Sequence, residues 1–143
     1  MEATDVKRVA RSYFEELINK HNLGFIETLF DPAIEFHDPA IVPSGLTTGL
    51  GGVRGFFTFF FSVFPDVNFT IEELFAEDDR VAIRFNWTGT HRATFLGIPI
   101  TERHVSVPGI DTFRIVNGKI AEVRVAFDRL MLIEQLGGIS PPL

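Results

Sequence analysis

Three side chains in this 143-residue sequence could bring oxygen acid/base chemistry to surfaces that should be apolar. In the run IDTFRIV, Asp111 shares the parity of Phe113 and Ile115, so an alternating strand aims its carboxyl at the buried side. In AIEFHD, Ile34, Phe36 and Asp38 share one face, and Glu35 and His37 the other. Tyr13 lies in a helical stripe with Val6, Val9, Ala10 and Leu17. A carboxyl among apolar neighbours loses hydration, which raises its pKa and favours the neutral acid. A neutral acid beside a phenol makes two donors, able to hold the negative charge that develops on an enolate oxygen. A second, less buried carboxylate can move the proton. Two carboxyls held at different pKa values divide the roles of acid and base. The competing reading of Asp111 is an ionised partner of Arg114 or Arg124.

Other chemistries find little support. There is no cysteine, hence no thiolate and no disulfide. The four histidines show no HxH or HxxxH spacing, so no metal site is expected. GLGGVRG misses the dinucleotide spacing, with Arg54 at its third glycine position, and reads as a mobile loop. No cofactor is expected. Net charge is −6 and the pI about 5.1, without a Lys/Arg run, which argues against nucleic acid or an anionic membrane as partner. The most apolar run, FFTFFFSVF, is far shorter than the roughly 20 residues that span a bilayer. The N-terminus lacks the apolar centre of a signal peptide, so a cytoplasmic protein is the default expectation.

Elements must hold these groups. Thr4 or Asp5 can cap a first helix, whose stripe Phe14 and Ile18 widen. Asn22 can cap a shorter helix carrying Leu23, Ile26, Leu29 and Phe30, ending at Asp31-Pro32. IVPSGLTTGLGG reads as loop. Phe56, Phe57, Phe60, Phe61 and Phe64 fit a helical stripe that Pro65 ends. Strands follow: Val67, Phe69 and Ile71 on one face, then, past a turn at Asp78-Asp79, Val81, Ile83, Phe85 and Trp87. FLGIPI is a hairpin connection. RHVSVPGIDTFRIV is a long strand with a bulge or bend at Pro108-Gly109. NGK is a hairpin turn, and Ala121, Val123, Val125 and Phe127 point inward beyond it. A short helix, RLMLIEQL, stops at Gly137-Gly138, before a loose tail. Helices followed by antiparallel strands make an α+β pattern, and the length points to one domain, 1–143. Sixteen Phe against one Tyr and one Trp point to an aromatic core or an aromatic-lined cavity.

FPDVNFTIEEL, GTHRATFLGIPIT, FRIVNGKIAEV and LIEQLGG, in that order, resemble the SnoaL-like polyketide cyclase family of the NTF2-like superfamily, over nearly the whole chain. The resemblance implies an NTF2-like (cystatin-like) cone: N-terminal helices packed on a curved antiparallel sheet that encloses an apolar pocket, commonly as a homodimer. LFDPAIEFHDP and PGIDTFRIVNGKI also resemble the two catalytic segments of ketosteroid isomerases in the same superfamily. Residue by residue, that likeness places Asp38 at the general base and Asp111 at the protonated acid of the oxyanion hole. It places Tyr13 at the partner phenol, with one residue inserted after the first helix. SnoaL-type cyclases carry a catalytic Asp on the last strand and a His two residues before it. Val125 and Val123 stand at those positions here, which implies that ring closure by that pair is absent.

These readings converge on a cofactor-free acid/base enzyme for a small hydrophobic carbonyl compound, acting by isomerisation or cyclisation through an enolate. The alternatives are a non-catalytic hydrophobic-ligand-binding protein, or epoxide hydration as in relatives of the fold. Ligand contacts are expected from Phe57, Phe61, Trp87, Phe113, Val123 and Val125, with His37 at the pocket mouth. His91 matches a recurring family position; its alternative is a hairpin-end histidine bonded to backbone. The pocket should open near residues 40–52. Trp87, or the opposite parity of its strand, should supply the contact of a homodimer formed through sheet faces.

Overall fold

The structure, a computed structural model, describes residues 3–138; the tail expected to be loose lies outside them. Helix α1 spans Ala3–Ser12, starting ahead of both expected capping residues, and continues as a π-helical segment, Tyr13–Ile18. There the Asn19 and Asn22 amides reach back five residues, to Phe14 (2.8 Å) and Leu17 (2.9 Å). The wider turn lets Tyr13, Phe14, Leu17 and Ile18 all be buried. Asn19 then fastens the segment to the sheet, donating to the Phe69 carbonyl at 2.9 Å and accepting the Phe69 N–H at 2.7 Å.

The expected second helix is a 3₁₀ turn, Leu23–Phe25, and one α turn, α2, Ile26–Leu29; Asn22 makes no side-chain capping bond. Phe30 belongs instead to strand β1, Phe30–His37, because Pro32 cannot supply the N–H a longer helix needs. The stretch read as loop contains β2, Leu46–Thr48, and the first turns of α3, Gly49–Val63. The glycines of GLGGVRG are therefore helical and not part of a mobile loop. Burial of Val53, Phe57, Phe60 and Val63 outweighs the weak helix propensity of glycine.

Strands β3 (Asn68–Glu77), β4 (Arg80–Thr90), β5 (His104–Val116) and β6 (Lys119–Phe127) follow, then helix α4, Arg129–Gln135. The six strands form one curved, unclosed sheet in the order β2-β1-β6-β5-β4-β3. α1 and α3 pack against it. An antiparallel sheet is expected from the sequence, but β1 runs parallel to β6. These two strands are joined by most of the chain and not by a hairpin, so no local signal fixes their relative direction.

Strand parity is as the sequence indicates: Val81, Ile83, Phe85 and Trp87 of β4 are buried, as are Asp111, Phe113 and Ile115 of β5. Pro108-Gly109 is not a bulge, since the β4–β5 register runs unbroken from Thr90↔His104 to Arg80↔Arg114. Gly109 answers a demand for space: a Cβ there would lie 2.7 Å from Phe85 Cζ and 2.8 Å from Phe127 Cβ. The shift in β5–β6 pairing comes later, at Arg114/Ile115, and buries Ile120 where Ala121 is the expected inward residue. Asn117 and Gly118 both have positive φ, the requirement of the tight hairpin turn foreseen at NGK. Trp87 lies in the core, so of the two contact surfaces named for a dimer only the opposite parity reaches the surface, where Phe75 and Ile110 are exposed.

Candidate functional site

Strand alternation carries Asp111 inward between Ile83 of β4 and Val125 of β6, its neighbours in register. It is 1% exposed, and its Oδ1 has no hydrogen-bond partner. Arg124 pairs with Glu122 at 3.3 Å, and no described cation forms a salt bridge with Asp111. The ionised-partner reading therefore has no geometric basis. Desolvation holds the Asp111 carboxyl well above the usual carboxylate range, the nearby charge of Asp38 adds to this, and the Ala126 backbone N–H offsets part of it.

Asp38 follows the last residue of β1 and keeps the inward parity of Ile34 and Phe36. Its N–H donates to the Gly45 carbonyl (3.0 Å), and its own carbonyl accepts from Ile41 (3.3 Å) and Val42 (2.9 Å). The side chain is 2% exposed and Oδ1 is unpartnered. Burial pushes its carboxyl up to about 7, against a smaller downward pull from the Ile41 and Ala40 backbone N–H groups. Tyr13 opens the π-helical segment. Its ring meets Phe14, Phe30, Phe57 and Phe113 edge-on at centroid distances of 4.9 to 6.1 Å. Desolvation, then the charges of Asp111 and Asp38, raise its phenol above the ordinary tyrosine value.

All three groups line one cavity of about 20 Å³. Phe57, Trp87 and Val125 line it as well. The rest of the wall is aromatic and aliphatic and includes Phe36, Ile41, Phe56, Phe85 and Phe127. Apart from the Trp87 indole N–H, only Tyr13, Asp38 and Asp111 bring side-chain polar groups to the cavity. The arrangement offers two carboxyls that burial holds above the usual carboxylate range, Asp38 near 7, with a phenol at the same wall. Such a group of three can take a proton from carbon and stabilise the resulting oxyanion.

Phe61, Phe113, Val123, His37 and His91 do not line this cavity. Phe113 and Val123 are buried behind it, paired in register across β5 and β6. Phe61 lies half-buried on α3, with the His21 ring stacked on it at 4.4 Å. His37 faces the other side of the sheet, its Nε2 3.4 Å from Glu35 Oε1, beside a groove that includes Arg124. His91 is fully buried at the end of β4. Its Nδ1 accepts the Thr101 N–H (3.2 Å) and lies 2.9 Å from Thr101 Oγ1, which assigns the proton to Nε2. Desolvation lowers its pKa, with the Ala93 backbone opposing. The ring ties together the ends of segment 91–101, the backbone-bonded alternative for this residue.

Phe36, Phe69, Phe85 and Phe127 could have been found from strand parity, since each sits on an inward position. Ile41 could not, because a loop residue has no periodicity. One group of metal-ligand types occurs among the described residues: Glu35, His37 and Glu122, with ligand atoms within 4.8 Å of one another. Arg80 (3.4 Å) and Arg124 (3.3 Å) already compensate Glu122 there.

The sequence model for the SnoaL-like polyketide cyclase family matches residues 8–136. No curated protein matches significantly. Among solved structures, TsrD from Streptomyces laurentii is 25% identical with a TM-score of 0.84, covering 97% of this chain and 99% of its own. A candidate polyketide cyclase, IdmH from Streptomyces antibioticus, is 26% identical at 0.79, covering 92% and 98%. A candidate SnoaL-like polyketide cyclase from Jannaschia sp. CCS1 is 22% identical at 0.84, covering 98% and 95%, and shares the NTF2-like fold.

Proposed function

The chain belongs to the SnoaL-like polyketide cyclase family, and from that membership we propose an enzyme that moves a proton on a small hydrophobic carbonyl compound through an enolate. One observation carries the reading: two buried carboxyls and a phenol converge on an otherwise apolar cavity, and each carboxyl keeps an unpartnered Oδ1. Ionised Asp38 removes the proton α to the carbonyl. The C–H electron pair becomes the C=C bond of the enolate, the carbonyl π pair moves onto oxygen, and the neutral Asp111 and Tyr13 hydroxyl donate to that oxygen. Asp38 then returns its proton to carbon, at the same atom or, in a β,γ-unsaturated ketone, at the far end of the conjugated system. The valines at positions 123 and 125 favour such proton transfer over the ring closure of cyclases that carry His and Asp there.

The test is turnover of 3-cyclohexenone to its conjugated isomer, followed by ultraviolet absorbance, with deuterium uptake in heavy water. The rate should rise with pH through about 7, as Asp38 ionises. Asp38→Ala should lower it by roughly 10²- to 10⁴-fold, the usual worth of a general base. Binding of apolar ketones and phenols without turnover or deuterium exchange would leave the non-catalytic ligand-binding reading.

A further inference from the structure

A cavity of about 20 Å³ holds roughly one water molecule, far less than the several hundred Å³ of a typical small-molecule site. A ligand can enter only if part of the wall moves. Nearly every lining residue sits on a helix or strand: Tyr13 and Ile18 on the π-helical segment, three Phe on α3, and the rest on β1 and β3 to β6. Asp38 and Ile41 are the two exceptions, and both belong to the β1–β2 connection.

This connection is braced from within. Asp38 N–H reaches Gly45, Ile41 and Val42 N–H reach Asp38, and Gly45 N–H reaches Val42, all at 2.8 to 3.3 Å. Gly45, with φ +78°, closes it. Among the described residues, one hydrogen bond ties it to a distant element: Arg129 Nε, in the first turn of α4, donates to the Ala40 carbonyl at 3.0 Å. A segment bonded mainly to itself and to one exposed guanidinium can swing as a unit without breaking the sheet.

We infer that residues 39–45 form a lid carrying Ile41 into the cavity, and that Arg129 latches it shut through Ala40. The inference rests on the cavity being a ligand site, and not on the chemistry proposed there. Because Asp38 is the hinge, lid position also sets the orientation of that carboxyl. A single exposed hydrogen bond is weak, so the latch can release on its own.

Trp87, the chain's one tryptophan, lines the cavity at 1% exposure and reports access without any substrate. Acrylamide should quench its fluorescence weakly in the wild type. In Arg129→Ala the quenching constant should rise about three- to tenfold, the range one hydrogen bond spans. Arg129→Lys, which keeps a donor, should restore most of the protection, and Leu130→Ala, exposed on the same helix, should change nothing. Stopped-flow binding of 2-naphthol should show faster association in Arg129→Ala. Equal quenching in Arg129→Ala and wild type, or an equal rise in Leu130→Ala, overturns the latch. If Arg129→Ala does not fold, amide exchange of the wild type decides: the Ile41 and Val42 amides should exchange together and faster than those of β1. Exchange as slow as in β1 overturns the lid. Quenching and 2-naphthol binding as expected, without turnover of 3-cyclohexenone, would retain the lid and count against the proposed chemistry; no 2-naphthol binding would remove the ligand site on which both rest.

Discussion

Asp111 sits where a charge is costly, and desolvation makes the folded protein hold its proton to higher pH than the unfolded chain does. Asp38 behaves alike, with a folded value near 7 against 3.8. Between those values the unfolded chain has released the Asp38 proton and the folded chain has not. The folded state therefore binds more protons, and stability falls as pH rises across that window, by roughly 4 kcal/mol at 1.36 kcal/mol per unit. Asp111 pushes the same way. Asp111→Asn keeps a donor and removes the ionisable group, so it should be as stable as wild type or more so at pH 7 in urea unfolding. It should weaken 2-naphthol binding much less than Asp111→Ala does. A carbon NMR midpoint for Asp111 at or below that of a free aspartate would remove it from the oxyanion role. These three oxygen-bearing residues are legible in the sequence because each sits on a regular pattern, period two for the aspartates and helical for Tyr13. Ile41 and Arg129 are not, since their parts arise from a loop and a contact between distant segments.

At the scale of elements, the strands from β3 onward can be read from alternation and turn chemistry, and NGK even specifies its turn. The first half of the chain is harder. Glycines and threonines hide β2 and the start of α3, whose stability comes from aromatic burial and not from local propensity. Gly109 shows the same limit: the sequence marks it as special, while its reason, room for Phe85 and Phe127, exists only after β4, β5 and β6 meet. Gly109→Ala should cost about 1–3 kcal/mol in denaturant unfolding, as overpacking does. Because both crowded rings line the cavity, the same variant should also raise acrylamide quenching of Trp87. A stability equal to wild type would mean that the rings have room to yield.

For the molecule as a whole, no helix among the described residues is long and apolar enough to cross a membrane. The outer face of the sheet remains apolar at Phe75 and Ile110, 63% and 46% exposed, around an ionic row in which Arg84 binds Glu72 (2.8 Å) and Glu73 (2.7 Å). A second copy is expected to cover that face. Sedimentation at micromolar concentration should show a dimer, Ile110→Lys should dissociate it, and a monomeric wild type would count against it. The parallel pairing of β1 with β6 carries a different kind of consequence, one of timing. Asp38 follows an early strand and Asp111 lies on a late one, and the ladder between them cannot close until β6 exists. Contacts so far apart in sequence form late, after local helices and hairpins. During synthesis α3 can pack on β1 and α1 on β3 to β5 before β6 is made, but β1 cannot join the rest of the sheet until then. The candidate site, which takes residues from β1's end, β5 and β6, cannot be complete before β6 is made.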